Sequence, residues 1–264
     1  MALPAFLEQG SGATAVFLLH GVGGGKESWR DMLAALAGAG YHALAWDMPG
    51  YGQSETLDPY TAAALAGALR DWVHHVGAAR SILLGHSMGG MVAQEAMALY
   101  PQQFQALVLS GTSAAFGRPG GLWQQQFLRE RFAPLDAGIG MAALAEQLVP
   151  AMLGPGASAA ARDAARALMA RVPEASYRSA LSAIVQFDRY AEWPAIRVPT
   201  LCLAGEHDRN APPAVLQKMA ARLAQARYHC LPGVGHLANL EQPERFNAAV
   251  LEFLQQAFAP PESS

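Results

Sequence analysis

The feature that most constrains the fold of this chain is an alternation of short apolar runs with longer stretches of helical periodicity. Each run is short and is closed within two residues by Gly, Pro, Asp or His. Continuous apolar runs of this kind are typical of strands buried on both faces of a parallel sheet. The runs lie at residues 15–19, 43–46, 81–84, 106–109, 200–204 and 227–231, and the helical stretches at 27–39, 61–75, 88–100, 214–224 and 243–258. The alternation predicts a mostly parallel, doubly wound α/β sheet with right-handed crossovers.

Residues 113–193 interrupt this alternation, because they contain helical patterns and no clear strand. The patterns lie at residues 122–132, 141–152, 159–172 and 175–191. We predict a helical lid, inserted between the strand that ends near Ser110 and the strand that begins near Thr200. The predicted domains are an α/β core of residues 1–112 and 194–264 and a lid of residues 113–193. A second packed helical layer without a role in binding is the alternative interpretation.

The composition and charge of the chain argue against several classes of function. Of the 264 residues, 52% are hydrophobic, which is enough for one large core. A formal net charge of −3 supplies no basic field for nucleic acid or an anionic membrane, so neither is an expected partner. The N-terminal residues contain no basic segment followed by a long apolar run. We therefore expect a cytoplasmic protein, a monomer or homodimer, that acts on a small-molecule substrate.

The cysteine and histidine spacings favour neither a metal site nor a disulfide. Cys202 and Cys230 both fall in strands predicted to be buried, where a free thiol behaves as a small apolar side chain. A disulfide between them is the less favoured alternative. No C-x-x-C, H-E-x-x-H or clustered His/Cys spacing occurs, so the sequence predicts no metal and no cofactor.

A candidate nucleophile stands at a turn between a predicted strand and a predicted helix. Residues 85–89 read GHSMG, directly after the apolar run 81–84 and at the start of the helical stretch 88–100. A chain that passes from strand to helix within a few residues holds its pivot in a strained conformation, and small neighbours relieve the collisions around it. Ser87 is that pivot, and the positive end of the helix lies beside its oxygen.

A nucleophilic serine needs a base, and the base requires a group that orients it. His236 follows the last predicted strand in the sequence Gly233-Val234-Gly235-His236, at the edge of the sheet where Ser87 lies. Asp208 follows the preceding strand and is the predicted orienting acid, and Glu206 is the competing acid. The remaining histidines are interpreted as structural or solvated; those considered are His20, His42, His74, His75, His86 and His229.

The negative oxygen that forms during attack needs hydrogen-bond donors. A glycine-rich turn at residues 20–25 (HGVGGG) follows the first predicted parallel strand, and it can point the Val22 amide toward the Met88 amide. We predict that these two backbone N–H groups form an oxyanion hole. A phosphate loop is disfavoured, because no hydroxyl residue follows Lys26 as it does in a Walker motif.

With these residues in place, the chain resembles the α/β-hydrolase superfamily from residue 15 to residue 258. Within it the chain is similar to the group of 3-oxoadipate enol-lactone hydrolases, carbon–carbon bond hydrolases and serine haloperoxidase-type esterases. The shared segments are residues 20–21 (HG), 47–54 (DMPGYGQS), 85–90 (GHSMGG), 198–201 (VPTL) with 205–208 (GEHD), and 235–236 (GH). The resemblance implies an α/β-hydrolase fold with Ser87 as nucleophile, His236 as general base and then acid, and Asp208 as orienting carboxylate. The short segment before residue 15 predicts one leading antiparallel strand.

The predicted lid contains no motif of its own that identifies a substrate. Aromatic and apolar residues there are candidates to line a pocket, although packing between amphipathic helices explains them as well. The pocket candidates are Trp123, Phe127, Met141, Phe187 and Trp193, and the arginines that could pair with a substrate carboxylate are Arg118, Arg129 and Arg189.

The predicted function is that of a serine hydrolase that cleaves a small ester or lactone through an acyl-enzyme on Ser87, without a cofactor. Carbon–carbon cleavage of a vinylogous diketone and cofactor-free oxygenation are alternatives, because related frameworks use the same three residues for them. A small-molecule receptor with a hydrolase fold is the alternative from another class.

Overall fold

The computed structural model describes residues 3–258 and contains one seven-stranded sheet. The strands are β1 (Phe6–Gln9), β2 (Thr14–Leu19), β3 (His42–Trp46), β4 (Arg80–His86), β5 (Ala106–Ser110), β6 (Thr200–Gly205) and β7 (Ala226–Leu231). Their spatial order is β1-β3-β2-β4-β5-β6-β7. Only β1 is antiparallel to its neighbour, so the sheet has the single leading antiparallel strand that the sequence predicts.

Helices cover both faces of the sheet. The helices are α1 (Arg30–Gly38), α2 (Ala62–Val76), α3 (Met88–Leu99), α4 (Leu122–Asp136), α5 (Gly140–Met152), α6 (Ala159–Ala170), α7 (Glu174–Ile184), α8 (Pro213–Ala220), α9 (Ala238–Glu241) and α10 (Pro243–Ala257). Side chains alternate across a strand, and in β2 Phe17 joins the core beneath α2 and α3 while Leu18 joins the core beneath α1 and α10. All six residues of β2 are buried, because both of its faces are covered.

The helices α4 to α7 lie between β5 and β6 in the chain. The segment that carries them leaves and rejoins the sheet at neighbouring points, since the Phe116 N–H donates to the Phe187 carbonyl and Ala115 forms an isolated bridge with Asp188. The predicted doubly wound sheet with a helical insertion is therefore confirmed. The last predicted helical stretch, 175–191, is too long, because α7 ends at Ile184 and the chain then turns back toward β6. The exact domain limits at 113 and 193 stay a prediction.

One strand departs from the predicted burial. The sequence predicts that residues 227–231 form a strand buried on both faces, but β7 lies at the edge of the sheet and alternates between exposed and half-buried residues as far as Cys230. His229 is exposed for the same reason. Cys202 in β6 is buried and Cys230 is only half-buried, and both thiols are free. Burial raises the pKa of Cys202 to about 12, so this thiol stays protonated.

Among residues 3–258, no helix combines the length and the apolar character that crossing a lipid bilayer requires.

Candidate active site

Ser87 occupies a strained turn between β4 and α3. Its backbone angles are φ 52° and ψ −119°, and it is the only residue other than glycine with a positive φ among residues 3–258. Such a conformation costs energy and persists because the surrounding backbone enforces it. A β carbon on Gly89 would lie 2.1 Å from the carbonyl oxygen of Leu19, so a glycine is required where α3 crosses β2. The turn carries Ser87 to the carboxyl edge of the sheet.

Asp208 and His236 form a buried pair at the same edge. Asp208 follows β6 and His236 follows β7, and these strands are parallel neighbours. His236 Nδ1 lies 2.8 Å from Asp208 Oδ2, and both residues are 4% exposed. The other carboxylate oxygen, Oδ1, accepts hydrogen bonds from the amides of Asn210 at 2.8 Å and Ala211 at 2.9 Å. Because both carboxylate oxygens have partners, Asp208 holds the imidazole in one orientation.

The charge of Asp208 favours one tautomer of His236. Burial raises the pKa of the Asp208 carboxyl, but His236 and the amides of Ala211 and Asn210 outweigh burial, so this pKa lies below its usual value. An ionised carboxylate can only accept a hydrogen bond, so Nδ1 must carry the proton and donate to it. The neutral imidazole is therefore left with an unprotonated Nε2, the atom that a general base uses.

Ser87 and His236 line one cavity of about 370 Å³. Among residues 3–258, no hydrogen bond joins their side chains. In enzymes without bound substrate, hydrogen bonds between catalytic groups are often long and tighten only when substrate binds. The Ser87 hydroxyl and the His236 imidazole therefore face the same cavity, and we expect the hydrogen bond between them to form when substrate binds.

The glycine-rich turn after β2 lies directly against Ser87. A β carbon on Gly21 would be 2.9 Å from the β carbon of Ser87. Within the described residues the Val22 N–H donates to no protein acceptor, and Tyr51 fixes the turn by donating its hydroxyl to the Val22 carbonyl at 3.0 Å. Met88 is the first residue of α3, so its N–H has no acceptor inside the helix. The two amides predicted as oxyanion donors are thus unsatisfied beside the serine.

His20 braces this turn, as the sequence predicts. The residue is 1% exposed. Its Nδ1 lies 2.8 Å from the Gly21 carbonyl oxygen, and its Nε2 accepts a hydrogen bond of 2.9 Å from the Met48 amide. Burial lowers the pKa of His20, so the ring is neutral at pH 7.

The competing acid lies away from the imidazole. Glu206 is half-exposed and accepts a hydrogen bond from the Gly233 amide at 2.8 Å. Its geometry gives it a role in the turn after β7 and leaves Asp208 as the only carboxylate bonded to His236 among the described residues.

His86 is more closely involved with the site than its sequence position suggests. It is interpreted above as a structural or solvated residue, yet its ring lies 4.8 Å from the His236 ring, centroid to centroid, and it borders the cavity. Burial and then the charge of His236 lower the pKa of His86 to about 3. Within the described chain its Nδ1 has no hydrogen-bond partner. His86 therefore presents a neutral imidazole to His236.

Glu241 is a site residue that the sequence reasoning missed. Its buried carboxylate accepts hydrogen bonds from the amides on both sides of His236, Gly235 at 3.1 Å and Leu237 at 3.1 Å. It also accepts a hydrogen bond of 2.7 Å from the amide of Gly154, which lies in the connection between α5 and α6. The His236 amide donates to the Met152 carbonyl at the end of α5 at 2.6 Å. The inserted helices and the histidine loop are thus joined through backbone hydrogen bonds.

The cavity has two faces of different origin. We name as the loop face the lining segments 21–24, 86–88, 111–113, 209–211 and 236–237, which follow strands of the sheet. We name as the helical face the lining side chains of α4 to α7, from Trp123 to Ile184. Most of the helical face is aliphatic or aromatic, as expected of a site for a small organic molecule.

The structure places the predicted lid residues in two groups. Trp123 and Phe127 line the cavity, and they form an aromatic cluster with Phe116. Met141 and Phe187 do not line it, because both side chains point into the hydrophobic core and are at most 8% exposed. Trp193 is also buried in the core, where its indole N–H donates to the Met219 carbonyl at 2.8 Å.

None of the three predicted arginines borders the cavity. Arg189 is bound to Glu95 by two hydrogen bonds of 2.7 and 2.6 Å, so its charge is already compensated. Arg129 bonds to Gln126 on the exposed side of α4. The arginines that do border the cavity are Arg131 and Arg209. Arg131 follows Phe127 by four residues on α4, the spacing that puts both on one side of a helix, and this signal could have identified it.

Among residues 3–258, no group of three or more His, Cys, Asp or Glu side chains is arranged to hold a metal ion.

One family model matches most of the chain. The profile of the Alpha/beta hydrolase family matches residues 16–249. The chain belongs to this family. The α/β-hydrolase fold predicted from the sequence is thereby confirmed.

Individual relatives of this α/β hydrolase cover nearly its whole length. The RutD protein of Variovorax paradoxus, whose name places it among carbamate hydrolases, is 33% identical over 93% of each chain. A thermophilic esterase from Thermogutta terrifontis, solved with malate bound, is 27% identical, with a TM-score of 0.86 over 96% of this chain and 93% of its own. The enol-lactonase from Burkholderia xenovorans LB400 is 26% identical, with a TM-score of 0.84 over 95% of this chain and 96% of its own. These similarities support a hydrolase of the α/β fold.

Proposed function

We propose that this α/β hydrolase is a serine hydrolase that cleaves a small ester or lactone through an acyl-enzyme on Ser87. One observation carries the proposal. His236, which is hydrogen-bonded to Asp208 at 2.8 Å, borders the same cavity as a serine held at a positive φ. Strain at a serine beside an oriented imidazole is the arrangement that nucleophilic catalysis requires.

In the first half of the reaction, Nε2 of His236 takes the hydroxyl proton while Ser87 Oγ attacks the carbonyl carbon of the substrate. Asp208 stabilises the imidazolium that results. The carbonyl oxygen becomes an anion, and the free N–H groups of Val22 and Met88 donate hydrogen bonds to it. When the tetrahedral intermediate collapses, the imidazolium gives its proton to the leaving alkoxide, which departs as an alcohol or, from a lactone, stays attached to the acyl chain.

In the second half, a water molecule gives its proton to His236 and attacks the acyl carbon. The same two amides hold the second oxyanion, and the proton returns to Ser87 Oγ as the acid is released. No redox step or cofactor is needed for this sequence.

Two features support a small carbonyl substrate. A cavity of about 370 Å³ is at the lower end of the usual range for small-molecule sites. The esterase and the enol-lactonase named above act on carbonyl compounds that bear an oxygen leaving group, and each has an identity above 25% with this chain.

The proposal is tested by labelling and turnover together. Wild-type protein should react with a fluorophosphonate probe at Ser87, identified by peptide mass, and should hydrolyse short p-nitrophenyl esters. Ser87→Ala and His236→Ala should each lower kcat by about 10⁴-fold or more. A wild type that is not labelled and that hydrolyses no faster than Ser87→Ala would exclude the serine hydrolase.

The alternatives are separated by the same panel. Lactones, esters and a vinylogous 1,5-diketone should be assayed side by side, and turnover of the diketone alone would favour carbon–carbon cleavage. Oxygen uptake with an aromatic substrate would favour the cofactor-free oxygenase. Tight binding of a small molecule without turnover, with ligand-dependent capture of a partner protein, would favour a receptor.

A further inference from the structure

The cavity carries positive charge that no carboxylate of its own lining compensates. Its lining includes Arg131 and Arg209 but no Asp or Glu side chain. Within residues 3–258 neither arginine has an ion pair, and neither donates a side-chain hydrogen bond. Three arginines near the inserted helices have carboxylate partners: Arg166 with Glu146, Arg178 with Asp136 and Glu174, and Arg189 with Glu95. Others in the insertion, such as Arg129, Arg162 and Arg171, lack one within the described chain but do not border the cavity and donate hydrogen bonds elsewhere.

Arg131 is held in place without being neutralised. It is half-buried on α4, and its guanidinium carbon lies 5.3 Å from the centre of the Phe127 ring, which also borders the cavity. Contact with an aromatic face orients a guanidinium and leaves its N–H donors free. Ordering the side chain in this way reduces the entropy that ligand binding would otherwise cost.

Tyr177 adds a second free donor on the opposite helix. This residue of α7 borders the cavity and is only 3% exposed, and within the described residues its hydroxyl has no hydrogen-bond partner. Burial raises the pKa of Tyr177 while the positive charge of Arg131 opposes the rise, so the two side chains share one electrostatic environment. A neutral phenol beside a guanidinium offers hydrogen bonds and charge to the same anion.

An anion is the ligand that can accept hydrogen bonds from both Arg131 and Tyr177. Most of the helical face around them is apolar, so the protein supplies few acceptors for these donors there. A carboxylate matches a guanidinium with two parallel hydrogen bonds and can also accept from a phenol. Arg209 is exposed and lies next to Asp208 in the chain, so it contributes charge at the opposite side of the cavity.

We propose that the substrate of this hydrolase is an ester or lactone whose acyl part carries a carboxylate, and that Arg131 and Tyr177 bind that carboxylate. The inference rests on the proposed serine hydrolase, because it names the substrate class of the same cavity. Arg131 and Tyr177 determine specificity and take no part in bond cleavage.

The test compares two esters that differ only in charge. Mono-p-nitrophenyl adipate carries a terminal carboxylate, and the p-nitrophenyl ester of adipamic acid carries an uncharged amide of the same shape. Wild-type protein should prefer the adipate ester in kcat/KM by about tenfold to a hundredfold, the range of a charge-assisted hydrogen bond. The pimelate and suberate pairs establish which chain length fits.

The variants assign the preference to named groups. Arg131→Met should reduce this preference, the ratio of the two kcat/KM values, to about one. Arg131→Lys, which keeps the charge but loses the two-pronged donor, should retain part of it. Tyr177→Phe should weaken it by about threefold to tenfold. Arg178→Met is the control, because it removes a positive charge beside Tyr177 that does not border the cavity.

The two proposals fail in different ways. A wild-type ratio near one, or a ratio unchanged in a folded Arg131→Met protein, overturns the carboxylate inference and leaves the serine hydrolase standing. If neither ester is hydrolysed, the proposed function fails, and calorimetric binding to Ser87→Ala then decides the remaining question. If adipate binds no more tightly than adipamide, the inference is overturned. If adipate binds more tightly and Arg131→Met abolishes the difference, the inference is supported.

Discussion

The loop face and the helical face of the cavity differ in how their polar groups are satisfied. Behind the loop face, the carboxylate of Asp208 has three hydrogen-bond partners and Glu241 binds the amides that flank His236, so the imidazole is held in place. On the helical face, Arg131 and Tyr177 border the cavity with no hydrogen-bond partner among residues 3–258. A fixed imidazole and backbone donors suit a set reaction geometry, whereas side chains without partners on the helical face are free to bind a ligand. We infer that the loop face determines the reaction and the helical face determines the substrate.

The largest effect on the loop face is expected from Asp208. An amide in Asp208→Asn donates where the carboxylate accepts, so His236 adopts the wrong tautomer and kcat should fall by about 10³- to 10⁴-fold with little change in KM. Glu206→Gln is the matched control and should stay within about twofold of wild type in the same ester assay. An equal loss at Glu206 with none at Asp208 would reassign the acid.

Glu241 tests whether the histidine loop depends on its backbone hydrogen bonds. In Glu241→Gln, an amide nitrogen replaces one of the acceptor oxygens that face Gly154, Gly235 and Leu237, so His236 should lose its fixed position. We expect kcat to fall by about tenfold to a hundredfold while KM changes by less than about threefold. Glu244→Gln, on the exposed side of α10, is the control. A loss confined to thermal stability, with kcat intact, would assign Glu241 a purely structural role.

A change on the helical face should have the opposite kinetic signature. Phe127→Ala removes apolar surface from the cavity, so KM for an ester with an aliphatic acyl chain should rise by about threefold to tenfold, with kcat within about twofold. Phe132→Ala removes a half-buried ring from the same helix that does not border the cavity, and it should leave KM unchanged. If both variants raise KM equally, α4 influences binding through its packing and not through its cavity side.

The last prediction concerns the pH dependence of stability and not catalysis. Burial lowers the pKa of His86 to about 3, whereas an unfolded chain binds this proton near pH 6.5. Below pH 6.5 the unfolded state gains a proton that the folded state does not, so stability falls from pH 6.5 toward pH 3. His86→Gln should therefore lose less stability between pH 7 and pH 4, by about 2–3 kcal/mol, in urea unfolding. The exposed His75→Gln variant should behave as wild type, and an identical loss in His86→Gln would show that folding does not lower the pKa of His86.

The sequence predicts the loop face better than the helical face for a physical reason. Ser87, Asp208 and His236 each follow an apolar run, and the carboxyl ends of parallel strands meet at one edge of a sheet, so local patterns suffice to bring them together. Whether these three residues have the proposed roles stays a prediction. Glu241 escapes local reasoning, because its partners include Gly154, 87 residues away in the chain.

The helical face is less predictable because every amphipathic helix of the insertion has an apolar side. Trp123 and Phe127 border the cavity, whereas Met141 and Phe187 point into the core. The predicted arginines fail for a similar reason, since only the contact with Glu95 reveals that Arg189 is already paired. β7 is a different case, because the alternation of Arg227 and His229 with Tyr228 and Cys230 in its sequence already indicates one exposed face.

By itself, the sequence determined the α/β-hydrolase fold and the strained turn at Ser87, because strand burial, helical periodicity and close backbone crossings depend on residue type and spacing. Only the tertiary structure decided which charged groups are compensated and which face the cavity. A carboxylate partner supplied from a distant segment determines whether an arginine is neutralised, and that distance has no local trace in the chain.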